Sequence, residues 1–239
     1  MEARWLAWVR RLQAIAQNGL MFSCVQSVRA FPAAGHGLFA LSEHNPCNRS
    51  ESSKSDNMRH ATLPPAVPRL QTPRLVLRAL GPGDADDIFA YAADPEVARY
   101  TLWHTHTSIQ ESRQFIAWLT RVSMACWAFV HPDTGHVIGT SVLHSYHAQH
   151  QRAEIAFNLA KALWGRGYAT EAARAVIRAG FMHYGLNRIE GTCMLGNVAS
   201  ARVMEKVGMR FEGILRQYVY TKNAFHDMQL YAILRADMQ

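Results

Sequence analysis

Gly165 and Gly167 stand one residue apart in ALWGRGYATEA, residues 162–172, immediately before a run of helical periodicity. Glycine has no Cβ, so this spacing lets the backbone turn sharply and lets another group come close to its N–H donors. The first N–H groups of a helix lack intrahelical acceptors and sit at the positive end of its dipole, so a phosphate or pyrophosphate is the natural ligand of such a cradle. There is no GxGxxG, and no Lys-Ser/Thr pair follows the glycines, which excludes the dinucleotide fingerprint and the Walker A loop. Taken alone, the pair is equally a tight strand-to-helix turn.

Other residues carry chemistry of their own. Glu154 falls in the strand pattern 152–159, on the face opposite Ile155, Phe157 and Leu159. A carboxylate there is a candidate general base, a solvated residue, or an ion-pair partner for Arg152 or Arg188. His144 and His147, near the end of the preceding hairpin, have a suitable intrinsic pKa and are alternatives. Asn197 precedes a helical run that starts at Val198, which puts Asn197 at the N-cap and Ser200 at the third helical position. Trp164 and Tyr168 flank the cradle, either stacking on its ligand or packing into the core. Glu171 lies in the first turn of the long helix, where a carboxylate favours the dipole. Tyr218 and Tyr220 read as sheet-packing residues. Cys193 reads as a small core residue, with no paired histidine to make it a nucleophile.

The elements that must hold these residues follow from periodicity. Residues 70–80 alternate, with Leu75, Leu77 and Ala79 on one face, until GPGD breaks the strand and Asp84 caps the next helix. Helices are expected at 84–93 and 108–123, the second with a Phe115, Ile116 and Leu119 stripe. A hairpin spans 126–131 and 137–145 around HPDTG. After the strand 152–159 and the cradle comes the strongest helix, its apolar positions repeating from Ala169 to Tyr184 until Gly185 stops it. A strand at 188–194, a short helix at 198–207 and a strand pair at 209–220 and 227–234 complete the order. The class is α+β, a mixed central sheet flanked by helices.

Composition limits what this domain belongs to. The 239 residues are 49% hydrophobic and carry a net charge of +7, enough for one sizeable core and a weak preference for acidic partners. Four scattered cysteines without a CxxC pair indicate neither a zinc site nor a disulfide framework, so a reducing cytoplasm is the default. No apolar stretch of about 18 residues occurs, so no membrane span is expected. Residues 1–67 form an extension, a basic amphipathic helix near 1–17 followed by a linker rich in Ser, Asn and Pro at 45–68. That extension reads as a loose appendage, or as upstream sequence before an initiator at Met58, in preference to a transit peptide or membrane-surface helix. The folded domain spans 68–239.

From about residue 70 to 234 the chain resembles the GNAT superfamily of acyl-CoA-dependent N-acetyltransferases, in the branch that acetylates ribosomal-protein alanine. The resemblance rests on TPRLVLR (72–78), AEIAFNL (153–159), LWGRGYATEA (163–172) and NVASARVMEKVGMRFEG (197–213), and continues to Asp227 and Tyr231. It implies the GNAT-like fold, acetyl-CoA as co-substrate without a metal, and direct transfer to a primary amine in a ternary complex. Trp164, Gly165, Arg166, Gly167, Tyr168, Ala169 and Thr170 are then the pyrophosphate loop, with Trp164 where other branches carry Gln or Arg. Asn197 becomes a pantetheine contact, Arg202 a phosphate contact, Glu154 the base and Ser200 the proton donor to the leaving thiolate. The implied acceptor is a protein N-terminal α-amino group, held by the loops at 100–107 and 221–226. A small amine such as a polyamine, amino sugar or antibiotic is the alternative, and a CoA-binding module without turnover is a third. No direct nucleic-acid partner is implied, and a homodimer is left open.

Overall fold

The computed structural model describes residues 66–238. The helix expected near 1–17 lies outside the described residues, as does the linker apart from its last few positions.

Eight strands form one sheet: β1 Leu70–Gln71, β2 Val76–Ala79, β3 Ala125–Val130, β4 Val137–His147, β5 Arg152–Leu159, β6 Arg188–Met194, β7 Arg210–Thr221 and β8 Ala224–Leu234, in the order β1-β2-β3-β4-β5-β6-β8-β7. Every neighbouring pair is antiparallel except β5 and β6. The helices are α1 Ala85–Ala92, α2 Pro95–Ala98, α3 Ile109–Val122, α4 Tyr168–Met182 and α5 Val198–Lys206. The expected α+β class holds, and the strand boundaries of β5 and β6 match the periodicity.

The core gathers between the sheet and α4. Ala172, Ala173, Val176, Ile177, Gly180 and Phe181 face inward from the helix onto Trp127, Phe129, Leu143, Ile155 and Ile189. Small residues allow this close approach: a Cβ on Gly180 would lie 2.6 Å from the Ile189 Cδ1. Gly185 ends the run with φ +68°, as the Leu186 N–H reaches back to the Gly180 carbonyl at 3.1 Å. On α3, Ser108 accepts from the Glu111 N–H at 3.3 Å, and the Glu111 carboxylate returns to the Thr107 N–H at 2.7 Å.

Four expectations change. The strand expected over 70–80 is two antiparallel strands, β1 and β2, because the chain turns between Thr72 and Leu75. Ala79 is exposed and Leu80 is buried in its place, because β2 ends where the chain turns. Asp84 precedes α1 without capping it; its carboxylate binds the Arg78 guanidinium (2.6 and 2.9 Å) and the Gly81 N–H (2.9 Å) instead. The short helix α2 has no counterpart among the expected elements. Pro95 at its first position and the Asp94 side chain, accepting from the Glu96 N–H at 2.9 Å, start it.

Candidate active site

The cradle has the geometry its glycines imply. Gly165 and Gly167 adopt φ +75° and +82°, a left-handed conformation that other residues enter at a cost. Among the described residues, none of the six N–H groups from Gly165 to Thr170 has a hydrogen-bond acceptor, and all six precede or open α4. This row of donors at a helix N-terminus fits a pyrophosphate. Trp164 anchors the loop, its indole N–H donating to the Leu159 carbonyl at 2.8 Å while the ring stays exposed. Arg166 is exposed.

A residue that sequence reasoning passed over braces this loop. Arg74 donates from its backbone N–H and its Nε to the two Glu171 oxygens, at 2.8 and 2.7 Å, and from Nη1 to the Arg166 carbonyl at 2.9 Å. Its guanidinium lies 4.4 Å from the centre of the Tyr168 ring, whose hydroxyl meets His131 Nε2 at 3.3 Å. Tyr168 is therefore committed to Arg74, His131 and the core. Burial raises the Glu171 carboxyl, but the Thr72 hydroxyl and the Arg74 N–H and guanidinium outweigh it and hold the group below its ordinary value. The signal for Arg74 was its place in TPRLVLR.

Glu154 sits where the sheet divides. β5 and β6 pair in parallel only through Arg152 with Arg188, Ala153 with Ile189 and Glu154 with Glu190. Beyond Glu154, β5 pairs with β4 alone and β6 with β8 alone, which leaves a split between them. In-register partners share a face, so His144, Glu154 and Glu190 form a row across β4, β5 and β6. The Thr192 hydroxyl donates to Glu154 Oε1 at 2.6 Å; among the described residues Oε2 has no hydrogen-bond partner. Arg152 and Arg188 do not pair with Glu154. Both bind Glu190, at 3.0 and 2.7 Å, and Arg188 also binds Glu212. A bulge at Ser145 (φ +51°) separates the two histidines: His144 stays in the Glu154 row, whereas His147 stacks on His150 with ring centres 4.1 Å apart.

At the open end of the split, Asn197 caps α5 by accepting the Ser200 N–H at 3.2 Å, and the Ser200 hydroxyl has no partner among the described residues. Arg202 is exposed on the same helix.

The chain is similar to known proteins in sequence and in fold. The acetyltransferase (GNAT) domain family matches residues 74–210. The chain belongs to the GNAT acetyltransferases. YoaA of Bacillus subtilis (strain 168), an uncharacterized N-acetyltransferase, is 34% identical over 172 residues, covering 70% of this chain and 97% of its own. The crystal structure of a GNAT-family acetyltransferase from Bacillus anthracis is 30% identical, covers 70% of this chain and 98% of that one, and superposes with a TM-score of 0.64. The fold is also that of ribosomal-protein-S5-alanine acetyltransferase from Vibrio fischeri, at 19% identity, 72% and 98% coverage and a TM-score of 0.63.

In this acetyltransferase the two segments expected to hold the acceptor meet. Lys222, at φ +50° in the β7–β8 turn, donates its ammonium to the carbonyls of Ala98, Arg99 (3.0 Å) and Thr101 (3.0 Å), and the Thr221 hydroxyl donates to the Leu102 carbonyl at 3.2 Å. Burial pushes the Lys222 ammonium down from its usual value. Tyr100, in the clasped segment, packs so closely on Gly196 that a Cβ there would be 3.2 Å from its hydroxyl. Sequence reasoning missed Arg74 and Thr192, since each acts through a partner distant in the chain, whereas Tyr100 and Lys222 lie in the two segments it named without being singled out. Cys193 is buried, and burial raises its thiol to about 11, which fits a core role. Among the described residues no helix is long and apolar enough to cross a membrane.

Proposed function

We propose that this acetyltransferase moves the acetyl group of acetyl-CoA to the N-terminal α-amino group of a polypeptide in the cytoplasm. The observation that carries the reading is the position of the half-buried Glu154 at the apex of the β5–β6 split, with Tyr218, whose hydroxyl is affected by the Glu154 charge, 59% exposed. An open approach admits a chain terminus. An α-amino group has a pKa of about 8, against about 10.4 for lysine, so a carboxylate acting directly or through water meets the smaller demand.

Glu154 takes the proton, and the amine nitrogen attacks the thioester carbonyl. The C–S bond then breaks, and the departing thiolate is protonated, with the unpartnered Ser200 hydroxyl as the donor. On the other side of the split, the N–H groups of residues 165–170, with Trp164, Arg166, Asn197 and Arg202, hold CoA. The free thiols of Cys126 and Cys193 suit a reducing compartment.

The test is a thiol-release assay with acetyl-CoA against free-amine peptides of differing first residue, alongside spermidine and an aminoglycoside. Turnover confined to peptides supports the proposal. Turnover on the small amines replaces it, and CoA binding without turnover on any of them favours a binding module.

A further inference from the structure

Asp227 lies opposite the point where β7 loses register. Leu215 pairs with Met228 and Val219 with His226, so Arg216, Gln217 and Tyr218 together face Asp227 alone. This bulge holds two more residues than a regular ladder allows. Gln217 at its centre has φ +49°, a left-handed backbone that a residue with a Cβ adopts only under constraint. The constraint is visible: the Gln217 N–H, which the broken ladder would leave without an acceptor, donates to Asp227 Oδ1 at 2.7 Å. The Asp227 backbone carbonyl accepts the Leu195 N–H at 3.3 Å, and Leu195 opens the turn that leads through Gly196 to Asn197. One residue of β8 thereby ties the strand segment carrying Tyr218 to the turn carrying Asn197.

Among the described residues no hydrogen bond or ring contact holds the Tyr218 side chain. Its neighbour Val219 is anchored in a small cluster with Met194 and Met228, but the Tyr218 side chain is largely exposed, so its direction is set by the bulge backbone. We propose that Asp227 is a positioning residue, which locks the β7 bulge and thereby fixes the direction of Tyr218 on the acceptor side of the split. Partial burial, then the charges of Glu154 and Glu190, raise the Tyr218 hydroxyl above the ordinary tyrosine value, with Arg152 opposing. This inference rests on the reading of the Glu154 face as the acceptor side.

The test uses the full chain with 13C at the tyrosine Cζ atoms, Tyr218 assigned by Tyr218→Phe, and amide exchange followed at Gln217. In folded Asp227→Ala, the Tyr218 titration is expected to fall towards that of a free tyrosine and the Gln217 amide to exchange at least about tenfold faster. Asp227→Asn, whose amide oxygen can accept the same N–H, is expected to preserve both. Adding Gln217→Gly to Asp227→Ala is expected to restore the Tyr218 titration, because glycine holds the left-handed conformation without help. A folded Asp227→Ala with unchanged Tyr218 titration and Gln217 exchange overturns the proposal, as does failure of Gln217→Gly to rescue. Should Asp227→Ala not fold, Asp227→Ser, too short to reach the N–H, takes its place with the same expected losses. Glu154→Gln, assayed in parallel, separates the two ideas: wild-type turnover there removes the base assignment and leaves the Asp227 readouts standing.

Discussion

Arg74 and Glu171, 97 positions apart, are joined by two hydrogen bonds from different parts of the arginine, its backbone N–H and its Nε, to the two oxygens of one carboxylate. The same guanidinium holds the Arg166 carbonyl and covers the Tyr168 ring. The β1–β2 connection therefore fixes both ends of the cradle, and the donor row is set before any anion arrives.

Removing this brace should loosen the cradle more than the fold. Arg74→Ala is expected to weaken CoA binding about tenfold, or about 1.4 kcal/mol, by calorimetric titration. Glu171→Gln should do the same and should flatten the acid limb of stability. Because the folded carboxyl is held below its ordinary 4.5, its contribution is complete above that value and is lost as pH falls through the lower one. Denaturation midpoints of the two proteins should differ near pH 7 and converge as the pH drops well below about 4. A constant gap would refute the link.

The two glycines separate conformation from space. A Cβ on Gly165 meets nothing within 4 Å, so Gly165→Ala is strained by its φ alone, by about 1 kcal/mol. A Cβ on Gly167 reaches ordinary contact, 3.4 Å, with the Arg74 Nη2, so Gly167→Val adds two branched methyls beside that guanidinium to the strain in φ. CoA affinity should fall in the order wild type, Gly165→Ala, Gly167→Val, with far-ultraviolet circular dichroism unchanged; unaltered affinity in Gly167→Val would reject the cradle.

Glu154→Gln should lower kcat by about 10²–10⁴ with CoA affinity within about twofold of wild type. Thr192→Val, which removes the hydroxyl that donates to Glu154 Oε1, should lower kcat by a smaller factor, about tenfold. A wild-type pH–rate profile for Glu154→Gln removes it from the chemistry.

Lys222→Met deletes three bonds from one ammonium to backbone carbonyls; the Ala98 carbonyl keeps the Thr101 N–H and hydroxyl, whereas those of Arg99 and Thr101 must find water. A loss of about 2 kcal/mol in chemical denaturation is expected. The KM for the peptide acceptor should rise while that for acetyl-CoA stays put, since the clasp joins acceptor segments alone; equal changes in both would contradict this.

Cys126 and Cys193 are buried, and burial raises each thiol to about 11. At about pH 8 neither is appreciably ionised, so a thiol reagent should leave the folded Cys24→Ser/Cys47→Ser variant unlabelled and label two sites after denaturation. Fast labelling of Cys193 would reopen a nucleophilic role.

Period and punctuation alone determined much of this protein. The alternation at 152–159, the small-residue stripe ending at Gly185 and the GRG spacing fix local conformation, because φ limits and apolar periodicity act within a few residues. They were enough for most of the strand and helix order, though not for α2 or for the division of 70–80 into β1 and β2, and for the left-handed glycines and the Asn197 cap. What only the tertiary structure decided are the partnerships: that Arg152 and Arg188 choose Glu190 over Glu154, that Arg74 reaches Glu171, that Lys222 clasps the end of α2, and that Asp227 meets a bulge in the adjacent strand. Those pairings depend on strand register and on where β5 and β6 part. Register is set by the packing of the whole sheet against α4, which no single stretch of sequence contains.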